Sequence, residues 1–298
     1  MKTFVIQFAR RCFVVLPLLC GSLVFGASEQ PVFTYNWGQP GPIYTLPTHT
    51  DNQFGYSLAS FGTTQFLVGI PLRPLGAVMP YIDDAGSVGI FGTNGFFLDS
   101  ISHPFPVAGD RFGYAVASVG TTRIIVSAPY TKVGRAPNES LLAGTVYIFD
   151  QNGNYLDLIT NPEAEDYDFF GITLAGLGTS RILIGNEYDL AISGSVYIYN
   201  TSGTLLTTVR NPTPANSDHF GSGLAAVGTD RFVVGAYGDD TTAANAGQAY
   251  LYNQSGVALR TNAPGGLQAG DQFGYAAAGV ATNWYVVSAP SAEVQNGR

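Results

Sequence analysis

Hydrophobic positions in this chain alternate over short spans instead of recurring at helical spacing. In the stretch from Asp110 to Pro129, small and apolar residues alternate from Tyr114 to Val119, a Gly-Thr-Thr turn follows, and a continuous Ile-Ile-Val run fills Arg123 to Ser127. A period of two predicts a strand with one face buried, and an unbroken β-branched run predicts a strand covered on both faces. The pattern occurs five times, opening at Phe54-Gly55, Phe112-Gly113, Phe170-Gly171, Phe220-Gly221 and Phe273-Gly274. Fifteen residues after each Phe stands a small residue: Gly69, Ser127, Gly185, Gly235 and Ser288. Three of these open a small-apolar-Pro triplet, ending at Pro71, Pro129 and Pro290; the other two read Gly185-Asn186-Glu187 and Gly235-Ala236-Tyr237.

A second unit lies between the copies. Gly86, Gly144, Gly194 and Gly247 each open a β-branched and aromatic run, and each stands 26 residues before the next Phe-Gly. The gap from a Phe to the following glycine varies instead, at 32, 32, 24 and 27 residues. Insertions are tolerated where backbone crosses the surface, so one loop per repeat takes all the length variation. A fourth alternating strand follows, with Leu98, Leu156, Leu206 or Leu259 three places after the turn glycine. Asn94-Gly95, Asn152-Gly153, Ser202-Gly203 and Ser255-Gly256 separate the third and fourth strands, as tight hairpins require.

Self-similar units of 50 to 58 residues, each with four short strands and no helical period, predict an all-β fold: a β-propeller of four-stranded blades. Each Phe of a Phe-Gly pair is expected between blades, with its Gly at a close backbone approach. Four full blades lie between two half-blades. Pro31 to Asn36 aligns with the third strand Ser195 to Asn200, Trp284 to Pro290 reads as a second strand, and Gly297 falls where another third strand would begin. The halves can combine into a fifth blade that closes the ring, or the chain is a fragment of a larger propeller; the pattern leaves both open.

Charge and leader features place the fold. Lys2, Arg10 and Arg11 precede an apolar run from Cys12 to Phe25, and Gly26, Ala27 and Ser28 follow. This layout predicts a secretory signal peptide over residues 1–28 and a propeller over 29–298, in a secreted, periplasmic or cell-surface protein. Leu19 is too large for the position before a lipidated Cys20. Cys12 and Cys20 are the only cysteines, so the processed chain would have neither disulfide nor thiol chemistry. Of thirteen basic residues ten would remain against 21 acidic ones, a net charge of −11 that excludes nucleic acid as a partner. No later stretch is long and apolar enough to span a membrane after signal cleavage.

Phe-Gly followed fifteen residues on by Gly/Ser-Ala/Ile-Pro resembles the FG-GAP repeat, as in the N-terminal propeller of integrin α chains, over Asp51 to Pro290. The resemblance implies the fold and leaves the partner unidentified. That family commonly carries a calcium loop between its first and second strands. Here those turns are Gly-Thr-Thr, Gly-Thr-Ser, Gly-Thr-Asp or Ala281-Thr-Asn, too short and too poor in carboxylates for six to eight oxygen ligands. Neither metal nor cofactor is therefore expected.

Candidate chemistry is sparse. His49, His103 and His219 lack metal-ligand spacing and read as solvated loop residues. Asp110, Asp168, Asp218 and Asp271, each two before a Phe, read as turn-formers bonded to nearby amides. Asp150-Gln-Asn152-Gly-Asn154 occupies the hairpin position and reads as a turn, not a calcium loop. Asn138, Asn200 and Asn253 head glycan-acceptor patterns. Carboxylates cluster at Asp83-Asp84, Glu163 to Asp168, Glu187 to Asp189 and Asp239-Asp240. A carboxylate pair would suit a glycan hydrolase, but no copy stands out from the others with inward-facing carboxylates.

The expected function is a non-enzymatic binding or adhesion module that recognises a protein or glycan, with a glycan-active hydrolase or a structural repeat domain of a larger surface protein as alternatives. The connections after the second and fourth strands share one face of a meander, and that face bears the variable loops. Tyr81, Tyr130, Tyr188 and Tyr237, with Asp83, Glu187 and Asp239, are the expected binding residues. Because the first turns lack ligands, the melting temperature should not move between added calcium and a chelator. A ligand bound only by the folded state at a hundred times its Kd would add about 2.7 kcal/mol, a rise that differential scanning fluorimetry would detect and that would contradict this reading.

Overall fold

The computed structural model describes residues 52–75, 82–135, 138–140, 142–189, 193–280 and 282–292. They belong to the larger of two compact units; the smaller, Arg10–Thr50, lies outside the described residues. So do the expected signal peptide, the strand expected at Pro31 to Asn36, and Gly297.

No helix occurs among the described residues. The first blade is β1 (Leu58–Phe61), β2 (Gln65–Ile70), β3 (Ser87–Gly92) and β4 (Phe97–Ser102). The second is β5 (Val116–Val119), β6 (Arg123–Ala128), β9 (Thr145–Asp150) and β10 (Tyr155–Thr160), and its long connection forms a hairpin of its own, β7 (Val133–Arg135) with β8 (Asn138–Ser140). That hairpin was expected as loop. The third comprises β11 (Thr173–Leu177), β12 (Arg181–Asn186), β13 (Ser195–Asn200) and β14 (Leu205–Arg210). The fourth comprises β15 (Phe220–Val227), β16 (Arg231–Ala236), β17 (Gln248–Asn253) and β18 (Ala258–Asn262). A pair, β19 (Ala277–Val280) and β20 (Trp284–Val287), follows. Each blade is an antiparallel meander of four strands, and no sheet closes on itself.

The hairpins form as their turn residues require. Asp150 Oδ1 accepts from the amides of Asn152 and Asn154, and Asn200 and Asn253 accept from the equivalent turn amides. Asp150 is thus a turn brace. A register shift follows at the same place in all four third-to-fourth strand pairings, a bulge that increases local twist.

First strands of successive blades adjoin in the order β1, β5, β11, β15, β19. The apolar core lies in layers between blades. Phe112, Phe170, Phe220 and Phe273 are fully buried, each in a cluster drawn from its own blade and the one before. Phe54, in the first described copy, is 45% exposed.

Both invariant spacings have a hydrogen-bonded cause. The amide after the Phe donates to the carbonyl fifteen residues beyond that Phe: Gly55 to Gly69, Gly113 to Ser127, Gly171 to Gly185 and Gly274 to Ser288. The Phe amide itself donates across blades, from Phe112 to Ala85, Phe170 to Ala143, Phe220 to Ser193 and Phe273 to Ala246. The next residue of the earlier blade is the conserved-spacing glycine, which meets the Phe backbone so closely that a Cβ on Gly144 would overlap the Phe170 carbonyl oxygen. Gly144 also has φ +86°, where a side chain is strained.

Gly144→Ala should therefore destabilise the protein by about 2–4 kcal/mol in urea unfolding, from overlap and backbone strain together. Gly265→Ala, which meets open space, should change stability by no more than about 0.5 kcal/mol. Equal effects would contradict the cross-blade explanation of the 26-residue spacing.

Candidate functional site: an aromatic belt around Glu187

Every blade begins with a tight turn that places two side chains together. The amide two residues after the Phe donates to the carbonyl just before it: Tyr56 to Gln53, Tyr114 to Arg111, Ile172 to Phe169, Ser222 to His219 and Tyr275 to Gln272. In all five copies the residue before the Phe is left-handed (φ 52–58°), although none is glycine. Such backbone costs on the order of 1 kcal/mol per site; in three copies the amide of that residue donates across blades, from Arg111 to Asp84, Phe169 to Leu142 and Gln272 to Asn245. The first residues past β6, β12 and β16 bring Tyr130, Glu187 with Tyr188, and Tyr237 to the same face.

Together these positions form a continuous series of rings. Centroid separations run Tyr56–Tyr114 4.7 Å, Tyr114–Tyr130 5.8 Å, Tyr130–Phe169 5.0 Å and Phe169–Tyr188 5.3 Å. The series continues Tyr188–His219 5.4 Å, His219–Tyr237 4.5 Å and Tyr237–Tyr275 5.3 Å. His219 and Tyr237 stack with planes 8° apart, whereas the other neighbours are tilted or edge-to-face. The Arg111 guanidinium sits 4.1 Å above the Tyr130 ring.

Glu187 lies within this belt. Its charge is felt by Tyr114, Tyr188 and Tyr237, on three different blades, and it hydrogen-bonds Tyr188. Burial among rings pushes the Glu187 carboxyl up to about 7, against a lowering by the Tyr188 bond. Tyr188 is in turn pushed up to about 12, by burial first and then by Glu187. Burial also raises Tyr114 and Tyr237 and lowers the His219 imidazole.

Of the residues expected from sequence, Tyr130, Glu187, Tyr188 and Tyr237 converge in the belt. Tyr81 lies outside the described residues. Asp83 is exposed, and its backbone carbonyl accepts from the Gly109 amide. Asp239 is only 1% exposed, so it is an interior brace and not a surface anchor. Burial alone would raise its carboxyl, but bonds from Thr241, Tyr250 and Thr213 outweigh that and hold it below the usual value. Gln248 donates to it as well.

Three readings need correction. His103 is not solvated: it is buried against Phe112 and Tyr147, with Nε2 3.2 Å from Asp110 Oδ2. His219 is half-buried on Tyr237. One copy does stand apart, because Glu187 occupies the place where three copies have Pro.

The four aspartates two before a Phe behave as expected, each accepting the amide three residues earlier: Val107, Glu165, Ala215 and Gln268. Asp168 is pushed up to about 7, first by burial and then by Asp189 and Glu165. No cluster of ligand side chains suited to a metal occurs among the described residues. Sequence reasoning missed Tyr56, Tyr114, Phe169, His219 and Tyr275. The available signal was periodic: aromatics recur just before, or two after, the repeated Phe.

Stacked four-stranded antiparallel meanders with inner strands adjoining in chain order are the blades of a β-propeller. Residues 106–149 and 213–252 match the FG-GAP repeat, each match running from the turn before a Phe-Gly to the end of the following third strand. Those two segments are thus similar to FG-GAP repeats, as the spacing implied. No curated protein matches it. No helix among the described residues is long and apolar enough to cross a membrane.

The raised Glu187 carboxyl has a measurable consequence. Its folded value of about 7 exceeds its unfolded 4.5, so its contribution to stability is full below about pH 4.5 and lost as pH rises through 7. Glu187→Gln should match the parent near pH 4 and exceed it near pH 8 by about 1–2 kcal/mol, allowing for partial exposure. In thermal scans that is a gain of about 2–8 °C. A variant less stable at both pH values would contradict the burial of this carboxylate.

Proposed function

We propose that the chain is a secreted or cell-surface binding module that recognises a protein or glycan ligand through the face bearing the aromatic belt. One observation carries the reading: rings from five successive copies of the repeat converge with a carboxylate on the face of the variable loops. Partly exposed Tyr side chains give large contact area at low entropic cost, which suits recognition. FG-GAP repeats occur in extracellular and surface proteins, typically as non-enzymatic structural or binding modules. The apolar leader in residues 1–28 fits export. Glycoside hydrolysis needs two carboxyls facing across a bond, whereas the groups that feel Glu187 are the tyrosines Tyr114, Tyr188 and Tyr237.

Glycan and protein arrays probed with the purified chain would test this. Tyr188→Ala with Tyr237→Ala should weaken a captured ligand at least about tenfold with the fold intact. Thr121→Ala with Thr122→Ala, in a turn on the opposite face, should leave capture unchanged. Equal losses in both variants, or sugar release from a bound glycan, would overturn the assignment.

A further inference from the structure

We propose that the belt around Glu187 is a subsite for a quaternary ammonium group on the ligand; the proposal rests on the face assigned above and specifies its chemistry. Glu187 replaces the Pro found in three copies and the Tyr237 found in a fourth, so the carboxylate is singular where the repeat elsewhere avoids charge. No ion pair among the described residues involves Glu187. Burying an ionised carboxylate without a counter-charge is costly, and a bound cation removes that cost. The chain as a whole is acidic, with formal net charge −8, which favours approach of a cation.

The surroundings of Glu187 determine which cation. A primary ammonium is strongly hydrated and must keep three donors bonded, whereas the belt presents mainly ring faces beside one carboxylate. A quaternary ammonium donates no hydrogen bond, is weakly hydrated, and is stabilised by ring faces. Arg111 over Tyr130 shows that these rings already hold a cationic group. Tyr56, Tyr188 and Tyr275 are 36–52% exposed, so solute can reach the belt. A neutral sugar could stack on the same rings but would leave the Glu187 charge uncompensated.

The probe is choline, titrated into the full chain by calorimetry near pH 8, beside its neutral tert-butyl analogue. Choline should bind saturably, and the analogue and Glu187→Gln should each bind at least about tenfold more weakly. Glu187→Asp should recover part of the affinity, and Tyr188→Ala should lose it. Titratable groups facing Glu187 are Tyr114, Tyr188 and Tyr237, with His219 one ring further on. Choline affinity should fall about tenfold or more from pH 8 to pH 5.5 as Glu187 is protonated, and the fall should vanish in Glu187→Gln. A fall that persists in that variant would assign the effect to His219 and overturn the proposal. So would equal binding of choline and its analogue, or no saturable binding. If choline fails while array capture still depends on Tyr188 and Tyr237, only the ammonium subsite is overturned; if capture is also indifferent to them, the face itself is wrong.

Discussion

Each blade is fixed to its predecessor by one residue. A Phe buries its ring between two blades while its amide hydrogen-bonds a carbonyl beside the earlier blade's third-strand glycine. Burying the ring contributes about 2–3 kcal/mol and the amide about 1 kcal/mol, so the apolar term dominates and the hydrogen bond sets register. The glycine is needed because the two backbones touch there.

The aromatic belt is a consequence of that docking. The tight turn at each Phe, with left-handed backbone just before it, sets two side chains side by side. These positions lie on one face in every copy. Once the blades stand next to one another, residues from five copies come into ring contact, although they span more than two hundred positions of sequence. The scaffold's strain and the candidate site therefore share one origin.

Beneath the belt the polar interior is braced by hydrogen bonds. Asp168 and Asp218 each accept from an Asn seven residues earlier, and His103 faces Asp110 from the same relative position. Asp239 gathers four donors. These hydrogen bonds fix the connections between blades, which lets the loop tips vary without loosening the core. Glu187 differs in having only Tyr188 as a bonded side chain.

The strands, the turns, the repeat and the propeller class were legible in the amino-acid sequence because each depends on local spacing: alternation, Asn-Gly hairpins, and the 15- and 26-residue intervals. So was the role of Asp110 and its equivalents, whose partners lie three residues away. Half the belt was not. Tyr56 and Tyr275 open different copies, and nothing in their neighbourhoods marks them as sharing one site. Burial was equally invisible: Asp83 and Asp239 look alike in sequence, yet one stands in water and the other is enclosed by Thr213, Gln248 and Tyr250. Local hydrogen bonding is written along the chain; the convergence of five copies, and the charge each environment imposes, exist only once the blades are packed.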